Sequence, residues 1–155
     1  MSTPLNQNQF IQSIVKGQAD LRMGQNVVSV QIDASSAGGL IAGQAVKLID
    51  SKGGVPKVVE CSADTDEVLG FLLYDIKQSS FGKLAYAECA FASGNCLYME
   101  ASGPISRGAA VTIVVAGSKV TASTTGKKIV GYAFDKAADG DLIRVITKTL
   151  PCLIA

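Results

Sequence analysis

The amino-acid sequence predicts an all-β fold, a compact small barrel or sandwich built from two related β-units and preceded by a short N-terminal arm or helix. Three observations support this prediction: short alternating apolar segments, turn residues at near-regular spacing between them, and an internal repeat. The chain has 155 residues, of which 48% are hydrophobic and 17% are charged. This length and composition suit one folded domain with a sizeable core and exclude a disordered chain.

Residues 1–26 differ from the rest of the chain because they are rich in Gln and Asn and poor in β-branched residues. Within this arm, the apolar residues at helical spacing are Phe10, Ile11, Ile14 and Val15. The spacing predicts either one short amphipathic helix or an extended segment that orders only on a partner, and both remain open. In both cases these four side chains are the candidate anchors on another protein. We expect the arm to add little to the stability of the β-domain.

Residues 27–149 are predicted to form the β-domain, because short apolar segments there are separated by turn residues. In the first segment Val28, Val30 and Ile32 alternate with polar residues, as in a strand that is buried on one face. Nine more strands are predicted, at 45–49, 57–61, 68–74, 84–91, 96–101, 109–116, 119–122, 128–134 and 142–148. No helical periodicity competes with this pattern after residue 26.

An internal repeat divides the β-domain into two copies, at about residues 40–90 and 105–148. Three glycine-centred motifs occur in the same order in each copy. The first copy contains Leu40, Gly43, Ala45 and Val46, then Leu69, Gly70 and Phe71, then Gly82 and Leu84; the second contains Ile105, Gly108, Ala110 and Val111, then Val130, Gly131 and Tyr132, then Gly140 and Leu142. An Asp follows the middle glycine in both copies, at Asp75 and Asp135. The repeat predicts two related β-units that share one core, with each glycine at a turn or a close approach of two backbones.

The last six residues, 150–155, are entirely apolar. An exposed apolar tail is unfavourable in water, so we expect it either to close the chain's own barrel or to dock on a neighbouring protein. For the docked case the candidate partner-binding residues are Leu150, Leu153 and Ile154.

The absence of His excludes Ser-His-Asp and Cys-His catalysis and every imidazole metal ligand. The four cysteines, Cys61, Cys89, Cys96 and Cys152, form no C-x-x-C pair, so neither a metal site nor a cofactor is predicted. We expect these cysteines to be small buried apolar side chains, with a Cys89–Cys96 disulfide as the alternative.

Two acidic segments superficially suggest a cation site. One is the cluster of Asp64, Asp66 and Glu67, and the other is the loop at 135–141. The loop lacks an acidic residue at its third position and the bidentate Glu that a calcium loop has at its twelfth. We therefore expect both segments to be solvated loops.

Enzymatic interpretations also find little support. Glu88 and Glu100 lie on neighbouring predicted strands and could pair for acid–base chemistry, although a surface ladder is the simpler interpretation. A Ser–Lys dyad is the hydrolytic mechanism that survives without His, but no serine motif stands out from ordinary turn usage. We therefore predict that the protein is not an enzyme.

Charge and hydropathy argue against nucleic acid and membrane as partners. The formal net charge is +1, and the basic residues are scattered, with only Lys127 and Lys128 adjacent. No stretch approaches the roughly 18 consecutive apolar residues that a membrane span needs. The apolar surplus is therefore expected in a core or in contacts with other protein.

The second copy carries the motifs of a known family. It reads GPISRGAAV at 103–111, GSKV at 117–120, IVGYA at 129–133 and ADGDLIRV at 138–145. This pattern resembles the head decoration, or capsid cement, proteins of tailed bacteriophages, whose compact β-domain follows I-x-x-G-x-x-V, then G-x-A, then A-x-x-G-D-x-x-x-V. The resemblance runs from about residue 100 to 148, is weaker over 38–90 and does not extend to 1–26.

The resemblance implies a non-enzymatic protein on the outer surface of the phage head, assembled in the cytoplasm of the bacterial host. Its partners would be the major capsid protein, whose neighbouring subunits it bridges, and further copies of itself, as a homotrimer ahead of a dimer. The alternatives are another virion β-protein, in the tail tube or the head–tail adaptor, and a small Ser–Lys hydrolase.

Overall fold

The computed structural model describes residues 16–17, 27–36, 40–50, 55–76, 86–91 and 94–153. Regular secondary structure in these residues consists of ten β-strands, without a helix. The strands are β1 (Val27–Ile32), β2 (Ala45–Asp50), β3 (Lys57–Glu60), β4 (Gly70–Leu72), β5 (Tyr86–Phe91), β6 (Cys96–Glu100), β7 (Ala110–Val114), β8 (Lys119–Ala122), β9 (Lys128–Ala133) and β10 (Leu142–Leu153). Each strand coincides with a predicted segment, so the all-β prediction is confirmed.

The strands form two five-stranded units that follow each other along the chain. The first unit is a closed barrel in the order β1-β3-β2-β4-β5, in which only β1 and β3 pair in parallel. The second unit is a sheet in the order β6-β10-β9-β7-β8. Its two edge strands approach each other at one end, where Ala101 and Val120 form a parallel bridge. The second unit is thus an almost closed version of the first.

The strand registers show that one β-fold is used twice. Every pairing of the first unit recurs in the second at matching positions, which we call repeat-equivalent. The matching pairs are Val30–Ala87 with Met99–Ile143, Val46–Glu60 with Val111–Ala122, Ala45–Phe71 with Ala110–Tyr132, and Leu72–Cys89 with Ala133–Val145. The isolated bridges also match, because Leu40 pairs with Ile76 as Ile105 pairs with Ala137.

The register corrects the third motif of the sequence repeat. At the start of β10, Leu142 pairs with Glu100; at the start of β5, Tyr86 pairs with Gln31. These positions match, so Leu142 is repeat-equivalent to Tyr86 rather than to Leu84, which lies outside the described residues. A Gly-x-Leu motif does not fix the register of a strand when the preceding loops differ in length.

The aspartates after the middle glycines are not equivalent either. Asp135 is repeat-equivalent to Tyr74, one position before Asp75. Both side chains accept a main-chain hydrogen bond, Tyr74 through its hydroxyl and Asp135 through its carboxylate. The Glu88 N–H donates to the Tyr74 hydroxyl at 3.0 Å, and the Arg144 N–H donates to a carboxylate oxygen of Asp135 at 3.1 Å. The repeat thus conserves a side-chain acceptor at this turn rather than a residue type.

The middle glycines lie at close approaches of two backbones, as predicted. A Cβ at Gly70 would collide with the main-chain oxygen of Ala90, and a Cβ at Gly131 would collide with that of Ile146. Both obstacles belong to the neighbouring strand of the same sheet. The glycines therefore let β4 and β9 lie against β5 and β10.

The two units share a core. The interior of the first barrel is one cluster of buried side chains: Val30, Ile32, Leu40, Val46, Val58, Leu72, Ala87 and Cys89. Neighbouring residues on the same strands point to the opposite, outer face of the barrel, because side chains alternate along a strand. These outer residues, Ala45, Phe71 and Ala90, belong to a second cluster that also contains the interior of the second unit. The outer face of the first unit is thus buried by the second.

Candidate protein-binding surfaces

The residues proposed from the sequence as partner anchors lie mostly outside the described part of the chain. Phe10, Ile11, Ile14, Val15 and Ile154 fall outside the described residues. Leu150 and Leu153 lie in β10, whose main chain pairs with β9 as far as Leu153 opposite Lys128. The side chains of Leu150 and Leu153 are outside the description. Their role in binding stays a prediction.

Gly17 lies at the junction of the two units. Its N–H donates to the carbonyl of Tyr98 in β6 at 2.8 Å. A Cβ on this residue would lie 2.5 Å from the Gly43 nitrogen and 2.9 Å from the Leu72 oxygen, both in the first unit. Its φ of +79° is also one that L side chains rarely adopt. Only glycine fits this position, which touches both units at once.

A small charge cluster surrounds this junction. Glu100 lies between two lysines, with carboxylate–ammonium distances of 2.5 Å to Lys119 and 3.7 Å to Lys16. The hydrogen bond from Lys119 lowers the pKa of the Glu100 carboxyl, and Lys16 acts in the same direction. Partial burial lowers the pKa of the Lys16 ammonium, against the attraction of Glu100. The ionised carboxylate therefore ties residues 16–17 to β6 and β8.

The β7–β8 hairpin reaches across to the first unit. The Ala45 N–H donates to the Gly117 carbonyl at 2.9 Å, and the Gln44 side-chain amide donates to the Ala116 carbonyl at 2.8 Å. Val115 and Ala116 have φ values of +53° and +52°, which is unusual for residues other than glycine. The tip of the hairpin therefore has a strained backbone. Two of its carbonyls accept hydrogen bonds from the first unit.

The acidic cluster of the β3–β4 connection binds lysines. Asp66 accepts hydrogen bonds from the Lys47 ammonium at 3.0 Å and from the Ser62 N–H at 2.8 Å. Burial opposes its ionisation, yet these bonds hold the pKa of Asp66 below its ordinary value. The other two carboxylates of the cluster reach the second unit, since Asp64 pairs with Lys127 and Glu67 with Lys128. This loop is a contact between the units.

The carboxylates of the loop at 135–141 are also used within the chain. Asp139 accepts the Gly103 N–H at 2.8 Å, and Asp141 accepts the Ala138 N–H at 2.7 Å. Within the described part of the chain, no three His, Cys, Asp or Glu residues are grouped so as to hold a metal ion. Nor do the described segments contain a helix long and apolar enough to cross a membrane.

Cys61, Cys89 and Cys96 are buried and form no disulfide. Cys89 and Cys96 are not bonded to each other, and Cys61 is likewise a free thiol. Burial raises the pKa of Cys61 and of Cys89 to about 12. A thiol with so high a pKa does not supply the thiolate that acts as nucleophile or metal ligand.

The residues considered for catalysis are not assembled into a site. Glu88 and Glu100 lie on β5 and β6, which belong to different units and pair with different strands, so the two residues are not neighbours in one sheet, as both the carboxylate pair and the favoured surface ladder require. The Ser118 hydroxyl donates to the Val115 carbonyl at 2.7 Å, within its own hairpin. Its neighbour Lys119 is held by Glu100.

Exposed apolar side chains are the strongest candidates for contacts with other protein. Within the described part of the chain, the large ones are Val27, Ile41, Leu48, Ile49, Tyr74, Val115, Tyr132, Phe134 and Leu142. Two groups stand out: Leu48 and Ile49 on the β2–β3 hairpin, and Tyr132 and Phe134 at the end of β9. Arg144 stacks over the Phe134 ring at 4.4 Å and forms a two-pronged pair with Asp135, which keeps this end of β9 ordered. Sequence reasoning missed both groups, because in the sequence they look like core positions.

The chain resembles known phage proteins in sequence and in fold. A family model described as structural cement protein (E217 gp24/Pam3 gp6) matches residues 5–147. Among solved structures, the chain resembles one titled as the head fiber gp8.5 N base in bacteriophage phi29, with a TM-score of 0.57 at 11% sequence identity. The likeness covers 84% of this chain and 99% of the other, and at this identity it concerns the fold alone. A search of curated proteins found no match.

Proposed function

The chain belongs to the structural cement protein family of phages, and from this premise we propose how it acts as a structural part of the virion. We propose that it decorates the outer surface of an icosahedral capsid and bridges neighbouring subunits of the major capsid protein. It becomes part of the virion in the cytoplasm of the bacterial host. It associates with further copies of itself, more readily as a trimer than as a dimer. It performs no catalysis. The observation that carries the proposal is the family match over residues 5–147.

The geometry supports a bridging role through its shared core and its exposed apolar groups. A bridge must resist deformation, and here the outer face of one unit is buried in the core of the other. It must also present several separate contacts, and Leu48, Ile49, Tyr132 and Phe134 are exposed on two different elements. Several weak contacts on one rigid body give high overall avidity on a capsid, where binding sites repeat.

The arm supplies a further contact in this proposal. Gly17, within the arm, is held at the junction of the units, and it follows the anchors Phe10, Ile11, Ile14 and Val15 closely in the sequence. Each apolar anchor buried against the capsid would contribute roughly 1.5–3 kcal/mol. Ordering the arm costs roughly 1–2 kcal/mol for each fixed backbone residue, so the four anchors must act together. The apolar residues Leu150, Leu153 and Ile154 are proposed as a second contact.

The test is a pair of truncations that differ by the junction residues. Deleting residues 1–15 should leave Tm nearly unchanged, while occupancy on purified capsids falls sharply. Deleting residues 1–20 should reduce capsid occupancy in the same way and, in addition, lower Tm. The longer deletion removes the hydrogen bond from Gly17 to Tyr98 and the ion pair of Lys16 with Glu100. The double variant Phe10→Asp with Ile14→Asp is the matched full-length control and should mimic the shorter truncation.

Two results would contradict the proposal. The protein lacking residues 1–15 could bind capsids as well as the full chain, in which case the arm is no anchor. Electron microscopy of virions could place the protein in the tail tube or the head–tail adaptor rather than on the capsid surface. For the absence of catalysis, single substitutions of Ser118, Asp139 or Asp141 should leave capsid occupancy unchanged, and hydrolysis lost with one of them would reverse it.

A further inference from the structure

The turn before β2 recurs, with the same length and hydrogen bonds, before β7. Gly43 and Gly108 are repeat-equivalent and have φ values of +78° and +77°. The Gly43 N–H donates to the Leu72 carbonyl at 2.7 Å, and the Gly108 N–H donates to the Ala133 carbonyl at 2.7 Å. The two turns therefore present the same main-chain surface. We call the hollow beside Gly43 the first groove and the hollow beside Gly108 the second groove.

The first groove is filled by a segment of the chain itself. A Cβ at Gly17 would lie 2.5 Å from the Gly43 nitrogen and 2.9 Å from the Leu72 oxygen, so Gly17 lies directly against their hydrogen bond. The aliphatic stem of Lys16 runs across Gly43, because a Cβ at Gly43 would lie 3.0 Å from the Lys16 Cγ. Gly43 is buried as a result. The first groove thus holds a lysine followed by a glycine.

The second groove is open. Gly108 is exposed, and no atom lies within 4 Å of the position that its Cβ would take. A pocket of about 420 Å³ lies beside it, and Arg107, Ala133 and Asp135 contribute to its lining. The main chain of the two grooves is the same, so the second groove has the shape to receive a segment like the one that fills the first.

The charges around the second groove indicate which side chain this segment carries. In the first groove the main chain of Ala42 borders Gly17, since the Ala42 carbonyl carbon lies 3.0 Å from the position of a Gly17 Cβ. The repeat-equivalent of Ala42 is Arg107, which is exposed. Asp135, which also lines the pocket, is held by Arg144 in a two-pronged pair. The Arg107 guanidinium therefore favours a carboxylate at the place that the lysine takes in the first groove.

We propose that the second groove binds a segment of the major capsid protein in which an acidic residue precedes a glycine. The partner's glycine would lie against the hydrogen bond between Gly108 and Ala133, where a Cβ would collide. Its acidic side chain would cross Gly108 and pair with Arg107. The inference rests on the proposed function for the identity of the partner, and it adds the place and the chemistry of one contact.

The test on capsids uses two variants with matched controls. Gly108→Asn places a side chain where the partner segment would lie, and Asn tolerates the left-handed backbone of this turn. Gly126→Asn is its control, because Gly126 has a φ of +85°, open space around its Cβ and no part in the pocket. Arg107→Glu reverses the charge in the groove, and Lys136→Glu makes the same change at an exposed residue that does not line the pocket.

We expect Gly108→Asn and Arg107→Glu each to raise the dissociation constant on purified capsids about tenfold or more. The two controls should bind capsids as the wild type does. All four positions are exposed, so Tm should differ little between each variant and its control. Equal losses of binding in a variant and its control would contradict the inference, because they would reflect a general effect of the substitution.

A second test measures binding to the groove without capsids. The probes are two synthetic peptides of residues 12–21, one with the natural Lys16 and one with Lys16→Glu, added to the full chain. The glutamate peptide should shift the amide NMR signals of Gly108 and Ala133 and bind about fivefold more tightly than the lysine peptide. The same peptide should cause no such shifts in the Gly108→Asn variant.

The outcomes separate this inference from the proposed function. Wild-type capsid binding by Gly108→Asn and Arg107→Glu would overturn the inference, and so would equal binding of the two peptides. Loss of self-association by these variants in sedimentation would also overturn it, because the groove would then bind a second copy. A wild type that fails to bind capsids, while the glutamate peptide still binds beside Gly108, would contradict the proposed function and support an acidic segment as the ligand of the groove.

Discussion

Among the described residues, Val115 has the backbone conformation that conflicts most with its side-chain chemistry. A β-branched side chain at a φ of +53° is a steric outlier, and such a conformation costs roughly 1–2 kcal/mol. The neighbouring carbonyls explain why it persists, since those of Ala116 and Gly117 bind Gln44 and Ala45 of the first unit. The contact between the units thus compensates a strained turn.

The first prediction concerns this strain. Val115→Asn should raise the free energy of unfolding by about 1 kcal/mol, because Asn tolerates the left-handed region and the exposed Val side chain contributes little packing. Urea denaturation measures the change. Val27→Asn is the control, because Val27 is also exposed but lies in a regular strand, where Asn is unfavourable. Destabilisation by both substitutions would contradict the argument.

The second prediction concerns the Asp135–Arg144 pair. The hydrogen bond from Arg144 holds the pKa of Asp135 below its ordinary value. The unfolded chain therefore binds this proton more readily, and the pair stabilises the fold fully above the unfolded pKa of about 3.9. That stabilisation is lost as pH falls through the lowered folded value. Asp135→Asn should cost about 1 kcal/mol at neutral pH, because the pair is two-pronged but partly exposed.

The pH dependence is the readout of this second prediction. The difference in unfolding free energy between wild type and Asp135→Asn should shrink as pH is lowered below about 4. Added salt should reduce it as well, since the pair is partly in solvent. Asp139→Asn, which removes a carboxylate that accepts a main-chain bond from Gly103, provides the comparison. A difference that stays constant down to acid pH would show that Asp135 acts by packing alone.

At the scale of single elements, the third prediction concerns the glycine of β9. Gly131→Ala should destabilise the protein by about 3 kcal/mol or more, because the new Cβ would meet the main chain of β10 rather than a side chain that can move. Gly126→Ala is the control: its φ is +85°, but no atom lies within 4 Å of the added Cβ. That substitution should cost only about 1 kcal/mol for the backbone conformation. Similar costs for both would refute the steric argument.

The strands themselves could be predicted from the sequence, whereas their register could not. Alternation in β1 and turn residues around the other strands indicate where extended segments begin and end. Register depends on which residues meet across the sheet, so the short motifs misaligned Leu84 with Leu142 and Asp75 with Asp135. The sequence does not reveal that Tyr74 is the true equivalent of Asp135, because at these positions a hydroxyl and a carboxylate accept the same main-chain hydrogen bond.

The candidate surfaces were missed for a related reason. Tyr132 stands in an apolar segment like the one around Phe71, and Leu48 stands in a segment like the one around Ile113. Nothing local distinguishes the buried member of each pair from the exposed one. The difference arises from where the β7–β8 hairpin lies relative to the first unit, which is a long-range property. Terminal anchors such as Phe10 are proposed from the sequence alone.

At the scale of the whole molecule, the two units are expected to unfold as one. A closed barrel and a nearly closed sheet could in principle be independent, but the outer face of the first belongs to the core of the second. Among the residues that the structure describes, Phe71 is the largest wholly buried side chain, and it lies in this shared cluster. Ion pairs from Asp64 and Glu67 to Lys127 and Lys128 join the units on another side. Separating the units would therefore expose apolar surface that neither can cover alone.

The last prediction tests this cooperativity with Leu40→Ala. Leu40 lies in the interior of the first barrel, outside the shared cluster, and its truncation should cost about 2–5 kcal/mol. If the units unfold together, urea denaturation remains a single transition and the slowest-exchanging amides of β9 and β10 lose protection as much as those of β5. Phe71→Ala, within the shared cluster, should have the same distribution of effects. If the units were independent, Leu40→Ala would split the transition and leave the protection of β9 and β10 unchanged, and the rigid body that a bridge between capsid subunits requires would then be lacking.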